Sequence, residues 1–327
     1  MKSMNEIQEI GAEEPTRPVA DVEECWMEID GARMRYLRAG SGPALILLHG
    51  LMGYAFSWRY VMPALAPYAT VYAIDSLGAG FSDRPNGIDH SMRGTALRVL
   101  RFAENLKLGS FDLLGTSRGG AVAMSAAAEC LERADRSSVR VRRLVLVAPV
   151  NPYSAHGKRL APFFATRFGA AGFRWTTARM PFLFPYFHSR LYARRDKIPA
   201  GSLEGYKAPL AIPGLFEHAL SIVQTWTADL RELNALLPRL AAIPTLLMWG
   251  DQDPAVYVSS MGPLARHFRH AEAVVFPGVG HLPYEECVPE FNRTLIQFLV
   301  RPVPGHRESD GPAFAAQAAS SNHNSNA

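Results

Sequence analysis

A serine between two glycines, directly after a short apolar run, is where this chain can do chemistry. Leu113-Leu114-Gly115-Thr116-Ser117-Arg118-Gly119-Gly120 carries the G-x-S-x-G arrangement of a nucleophile elbow, a tight and strained turn from a strand into a helix. Such a turn presents the hydroxyl at a helix N-terminus, where developing negative charge is favoured. Gly115 and Gly119 suit it, because a side chain at either position meets the crossing strand or helix. A serine hydroxyl is a weak nucleophile at neutral pH, so it needs a base, and the base needs an orienting acid. Both residue types occur late in the chain. Trp249-Gly250-Asp251-Gln252-Asp253 sets two carboxylates just past an apolar run, and Phe276-Pro277-Gly278-Val279-Gly280-His281-Leu282-Pro283 sets a histidine in a glycine-rich loop. His49 rivals His281 as the base. Asp251 competes with Asp253, although a loop aspartate also serves as a turn former.

The elements that must position these groups can be read from apolar runs. Ala44 to Leu48, Phe111 to Leu114, Leu144 to Val147 and Thr245 to Trp249 do not alternate polar with apolar. Both faces of each strand should therefore be buried, as in a parallel sheet covered by helices. Ala121 to Ala128 is rich in small helix formers, and Ala96, Val99, Leu100 and Ala103 recur at helical spacing behind Ser91, a plausible N-cap. Strand and helix alternate, which predicts an α/β chain with a mostly parallel, doubly wound sheet. In such sheets, catalytic groups gather at the C-terminal ends of the strands.

In the order serine, aspartate, histidine, these residues resemble the α/β-hydrolases, in the cap-bearing serine hydrolase branch. The likeness extends over residues 22 to 300. His49-Gly50-Leu51-Met52-Gly53 is similar to the family's H-G-x-x-G oxyanion loop. Asp75-Ser76-Leu77-Gly78-Ala79-Gly80-Phe81-Ser82-Asp83-Arg84-Pro85 is similar to its D-x-x-G-x-G-x-S-D-R-P turn. The resemblance implies Ser117 as nucleophile, His281 as general base and Asp253 as orienting acid, with the backbone N–H groups of Leu51 and Arg118 as oxyanion hole. The reading that follows is hydrolysis of carboxylic esters through an acyl-enzyme, and the aromatic residues between Phe163 and Tyr192 add the expectation of apolar acyl or aryl groups, hence a small apolar ester-like substrate. Two alternatives stand beside that reading: carbon–carbon bond hydrolysis of ring-cleavage diketones, and a ligand-sensing relative that functions by binding. The diketone hydrolases commonly carry Trp directly after the catalytic histidine, where this chain has Leu282. Dehalogenases and epoxide hydrolases of this fold use an aspartate nucleophile, and Ser117 argues against both. No phosphate loop or dinucleotide fingerprint occurs, and no cofactor or metal is expected.

The chain has 327 residues, 48% of them hydrophobic, enough for one large core and an inserted module. The expected organisation is a flexible N-terminal arm over 1–20, an α/β-hydrolase core over 21–149 and 239–303, a helical cap over 150–238 and a disordered tail over 304–327. From Lys158 to Arg239 there are 12 Lys and Arg against 5 Asp and Glu, a balance of +7 against +4 for the whole chain. Ten aromatic residues fall between Phe163 and Tyr192, among them Phe164, Phe168, Trp175, Phe182, Phe184, Tyr186 and Phe187. They read either as the cap's own core with a solvated basic face, or as an apolar pocket with a basic rim suited to anionic substrates or a membrane surface. The basic residues match no nucleic-acid module. Cys25, Cys130 and Cys287 have neither metal-ligand spacing nor an even-numbered disulfide framework. With no signal-peptide core and no run long enough to span a bilayer, a cytoplasmic location is expected. Nothing in the sequence distinguishes a monomer from a dimer.

Overall fold

A computed structural model describes residues 21–154 and 161–303, so the expected arm and tail lie outside the described residues. Eight strands form one sheet: β1 (Glu23–Ile29), β2 (Ala32–Ala39), β3 (Ala44–Leu48), β4 (Thr70–Ile74), β5 (Ser110–Thr116), β6 (Arg140–Val147), β7 (Thr245–Gly250) and β8 (Ala271–Phe276). Their order is β1-β2-β4-β3-β5-β6-β7-β8. β1 and β2 are antiparallel to each other, β2 is antiparallel to β4, and every later pair is parallel.

The expected four runs are all strands, and composition explains why. β3, β4 and β7 are buried at every position, and so are the last five residues of β6, as helices on both faces require. β2 instead alternates buried with more exposed residues, as an antiparallel strand near an open edge does.

Around the sheet lie α1 (Met62–Leu65), α2 (Met92–Asn105), α3 (Arg118–Glu132), α4 (Ala161–Phe164), α5 (Arg167–Arg179), α6 (Phe184–Ser189), α7 (Ser202–Lys207), α8 (Leu215–Leu236), α9 (Met261–Ala265), α10 (Pro283–Glu286) and α11 (Val288–Leu299). Ser91 caps α2 by accepting from the Gly94 N–H at 3.0 Å. The helices α4 to α8 occupy the long connection between β6 and β7 and form a helical insertion. Among the described residues, no helix is long and apolar enough to cross a membrane.

The strand order reverses direction at β3, with β4 on one side and β5 on the other. Loops leaving β3 and β5 therefore diverge around a crevice, the place where open α/β sheets put their ligands. The register pairs Leu48 with Gly115, so the His49–Gly53 loop and the Ser117 turn leave the sheet side by side.

One buried carboxylate ties the insertion to this crevice. Glu285, on α10 and 4% exposed, accepts from Arg59 Nη1 at 2.9 Å on Oε1 and from Nη2 at 2.8 Å on Oε2. Tyr206 donates to Oε1 at 2.6 Å, and the Tyr192 and Ser202 hydroxyls each lie 2.8 Å from Oε2. Burial alone would raise this carboxyl's pKa, but Arg59, Tyr206 and Tyr192 hold it below the ordinary carboxylate value. Tyr192, Ser202 and Tyr206 belong to the insertion, while Arg59 and Glu285 belong to the sheet domain. Removing one partner leaves the other charge buried and unpaired, which is the costly way to break such a pair. Glu285→Ala should therefore lower unfolding free energy by about 3–5 kcal/mol in urea titration, and Tyr192→Phe by about 1 kcal/mol. An unchanged Glu285→Ala midpoint would show that this cluster does not hold the insertion.

Candidate active site

Ser117 joins β5 to α3 with φ 52° and ψ −121°, a conformation that costs a non-glycine residue about 1–3 kcal/mol. Neighbouring backbone holds it there. Its N–H donates to Val147 O at 2.9 Å, and its carbonyl accepts from Val150 N at 2.9 Å and Gly120 N at 3.1 Å. The end of β6 thus grips both sides of the serine peptide. The glycines permit the crossing, because a Cβ on Gly115 would run into Gly119 and one on Gly119 into the Leu48 and His49 carbonyls. Although Ser117 stands at the N-cap position of α3, its side chain makes no capping hydrogen bond.

The loop after β3 comes up against the serine. A Cβ on Gly50 would lie 3.2 Å from Ser117 Cβ and 3.7 Å from its Oγ. Among the described residues, the backbone N–H groups of Leu51 and Arg118 donate to no protein acceptor. Arg118 opens α3, so its N–H also lies at the positive end of the helix dipole.

His49 is not available as a base. Its Nδ1 lies 2.8 Å from Gly50 O, and its Nε2 accepts from the Ser76 N–H at 3.1 Å, which assigns the neutral Nδ1–H tautomer. Burial lowers its pKa further. Asp75, fully buried, supports the same turn by accepting from Ala55 N at 2.7 Å, Phe81 N at 2.9 Å and Arg35 Nη1 at 3.1 Å.

At the end of β7, the two aspartates have different partners. Asp253 Oδ2 lies 2.8 Å from His281 Nδ1, and both residues are 5% exposed. Its Oδ1 accepts from Ala255 N at 2.8 Å and Val256 N at 2.9 Å, so the carboxylate cannot rotate without losing hydrogen bonds. Asp251 is exposed and accepts from Gly278 N at 2.6 Å, which fastens the start of the histidine loop. The structure therefore brings Asp253 to His281 and leaves Asp251 in the turn. His281 Nε2 and Ser117 Oγ make no hydrogen bond to each other or to another described side chain. Catalytic hydrogen bonds are often long without substrate and tighten in the Michaelis complex.

The histidine loop also touches the insertion. The His281 N–H donates to Leu191 O at 2.7 Å, and Glu286 accepts from Gly280 N and Ala193 N, each at 2.9 Å. A Cβ on Gly280 would lie 2.5 Å from Ala193 N. A cavity of ≈ 530 Å³ beside this loop is lined by Lys197, Val279, Glu286 and Cys287 among others, and by none of Ser117, Asp253 and His281. Among the described residues, no three His, Cys, Asp or Glu side chains gather as a metal site.

A second group, beside the Arg118 side chain, has no sequence signature. His218, on α8 of the insertion, places Nδ1 2.9 Å from Nδ1 of His90. Arg118 donates from Nη2 to His90 O at 2.6 Å and to Thr95 Oγ1 at 3.2 Å. The two imidazoles share one proton between facing nitrogens, so both cannot be cations. Burial first, and then neighbouring Arg98 and Arg118, lower His90 to about 4. Burial, His90 and Arg118 drive His218 well below its usual value. His90 and His218 are far apart in sequence, and only the packing of α8 brings them together.

This pair gives the folded state a pH dependence of definite sign. Bases whose folded pKa is depressed bind fewer protons than in the unfolded chain, so stability rises with pH between the two values. The loss begins as pH falls through the ordinary histidine value of about 6.5 and for His90 continues toward about 4. Tm should fall between pH 7.5 and 5, and the fall should be shallower in His90→Gln/His218→Gln; differential scanning fluorimetry across pH reads both. Equal slopes would exclude the pair as the source.

Residues 43–287 match the family model of the alpha/beta hydrolase fold. Haloalkane dehalogenase 2 of Mycobacterium tuberculosis is 26% identical over 289 residues, 84% of this chain and 94% of that protein. N-formylmaleamate deformylase of Pseudomonas putida is 37% identical over 134 residues, 41% of this chain and 47% of that protein. Among solved structures, the 2-hydroxy-6-oxo-6-phenylhexa-2,4-dienoate hydrolase of Rhodococcus sp. strain RHA1 superposes with a TM-score of 0.71 at 22% identity, covering 86% of this chain and 100% of that one. The eight-stranded sheet, the turn at Ser117 and the matched span agree: this chain belongs to the alpha/beta hydrolase fold family.

Proposed function

We propose that the chain is a serine hydrolase that cleaves carboxylic esters. The observation that carries this reading is the Ser117 turn. Its side chain is held in a strained position and caps nothing, while two unengaged backbone N–H groups, Leu51 and Arg118, belong to the adjoining loop and helix. That combination suits an acyl carbonyl whose oxygen becomes an anion.

Ser117 Oγ attacks the ester carbonyl while His281 Nε2 takes its proton. Asp253 accepts from Nδ1, fixes the tautomer that leaves Nε2 free, and stabilises the imidazolium. The Leu51 and Arg118 N–H groups stabilise the oxyanion. Collapse expels the alcohol, which receives the proton from His281, and leaves the acyl group on Ser117. Water, deprotonated by the same imidazole, then attacks the acyl-enzyme and releases the acid and the free serine. Residues 150–238 are proposed to act as a cap over this site, held down by the Glu285 cluster.

A second reading is carbon–carbon bond hydrolysis, favoured by the fold likeness to the Rhodococcus dienoate hydrolase. The same nucleophile, base and oxyanion donors serve either bond, so the choice rests with the leaving group. Serine rather than aspartate at the elbow argues against dehalogenase chemistry, which in this fold uses an aspartate nucleophile. A panel of p-nitrophenyl esters from acetate to octanoate, run beside a vinylogous diketone, decides between the two. Turnover of the esters with no diketone cleavage supports the ester reading, and the reverse result overturns it.

Two further outcomes test the residue roles. A fluorophosphonate probe should label the native chain stoichiometrically and Ser117→Ala not at all; labelling that survives the substitution places the nucleophile elsewhere. Asp253→Asn should reduce kcat on the order of 10⁴ by presenting the wrong tautomer. Asp251→Asn keeps an oxygen for Gly278 and should cost less than about tenfold. Reversed magnitudes would exchange the roles of the two aspartates.

A further inference from the structure

Six of the ten aromatic residues between Phe163 and Tyr192 are neither packed as a core nor turned inward as a pocket. Phe168 is 86% exposed and Trp175 60%; Phe163, Phe182, Tyr186 and Phe187 are also exposed. Tyr192 is buried, and Phe164, Phe173 and Phe184 are half-buried. Both expectations drawn from the sequence are therefore corrected for the six exposed rings.

The geometry of α5 makes this definite. Thr166 caps the helix by accepting from Gly169 N at 3.0 Å, which fixes where the helical repeat begins. At 3.6 residues per turn, Phe168, Ala171, Gly172, Trp175 and Arg179 share one face. All five are exposed, whereas Gly169 and Ala170 are buried and Phe173, Thr176 and Thr177 are half-buried. The helix thus shows Phe168 and Trp175 to solvent while burying Gly169 and Ala170, the opposite of an ordinary surface helix. Large exposed aromatic patches mark surfaces that meet something apolar.

The accompanying charge identifies that surface. Residues 161–195 contain six arginines and no Asp or Glu. Arg174 pairs with Glu217 and Arg194 with Asp196, but among the described residues Arg167, Arg179, Arg190 and Arg195 form no ion pair, and all four are exposed. A second copy of the chain placed face to face would bring these arginines against one another, which costs affinity. The exposed face of a helix also offers no concavity for a small solute. Rings on a helix face with unpaired arginines beside them match the interface of a bilayer bearing anionic lipid, where rings enter the headgroup zone and arginines meet phosphates.

We propose that the outer face of α5, with the adjoining 182–187 segment, docks this protein on anionic lipid bilayers. The docking does not depend on the ester reading, since it is read from binding alone. The test is flotation of the full chain with vesicles of phosphatidylcholine, alone or mixed with phosphatidylglycerol. Association should favour the anionic vesicles by about tenfold or more and weaken at high salt. Phe168→Ser/Trp175→Ser and, separately, Arg167→Glu/Arg179→Glu should each reduce association with anionic vesicles by about tenfold or more. These are exposed side chains outside the Ser117, Asp253 and His281 machinery, so labelling by the fluorophosphonate probe and the thermal melt should match the native chain. Failure to float with either vesicle, or flotation unchanged by both double variants, overturns the proposal. So does a concentration-dependent dimer in sedimentation that Phe168→Ser/Trp175→Ser abolishes, because the face would then belong to a second copy.

Discussion

The strained peptide of Ser117 is the constraint on which the rest of the molecule depends. A serine with φ 52° persists only where surrounding hydrogen bonds determine it completely. Here the end of β6 supplies them on both sides of the residue, through Val147 and Val150. This support requires β5 and β6 to be adjacent, parallel and buried, and the long apolar runs supply those properties. It also requires α3 to start at once and to cross close to β3, which explains the glycines on both sides and the small residues along the helix. Sheet, helix and turn are therefore parts of one solution rather than a scaffold with a site added.

The remaining groups are positioned by buried carboxylates, each holding several donors. Asp75 gathers Ala55, Phe81 and Arg35; Asp253 gathers Ala255, Val256 and His281; Glu285 gathers Arg59 and hydroxyls of the insertion. Each carboxylate is nearly or fully buried, where an unsatisfied oxygen would be costly and a fully satisfied one fixes a unique geometry. Loops without regular structure thereby acquire the precision that catalysis demands.

How much of this was legible in the sequence follows from the range of each interaction. The buried strands could be read because two-sided burial forces an uninterrupted apolar composition. The elbow could be read because close backbone crossing admits only glycine. Ser91 as a helix cap could be read because its bond reaches only to Gly94. Asp251 and Asp253 were harder, since both follow the same strand, and only the path of the histidine loop sends one to Gly278 and the other to His281. The Glu285 cluster and the His90–His218 pair were not legible. Their members come from distant parts of the chain, and no local pattern records the meeting. The aromatic residues between Phe163 and Tyr192 were visible in the sequence, but the ordinary rule turns such rings inward, so the exposure of Phe168 and Trp175 was not legible.

The hydrogen bond from the His281 N–H to Leu191, with Glu286 bridging Gly280 and Ala193, has a consequence for how the molecule admits a ligand. The chain over 191–193 serves as a splint for the loop bearing the imidazole, so that stretch cannot lift without carrying His281 away from its aspartate. Coupling of this kind is reciprocal: whatever binds one arrangement of residues 191–193 more tightly alters the standing population of oriented imidazole by the same factor. A contact on the outside of the insertion thus has a structural route, through Leu191 and Ala193, to the His281 imidazole.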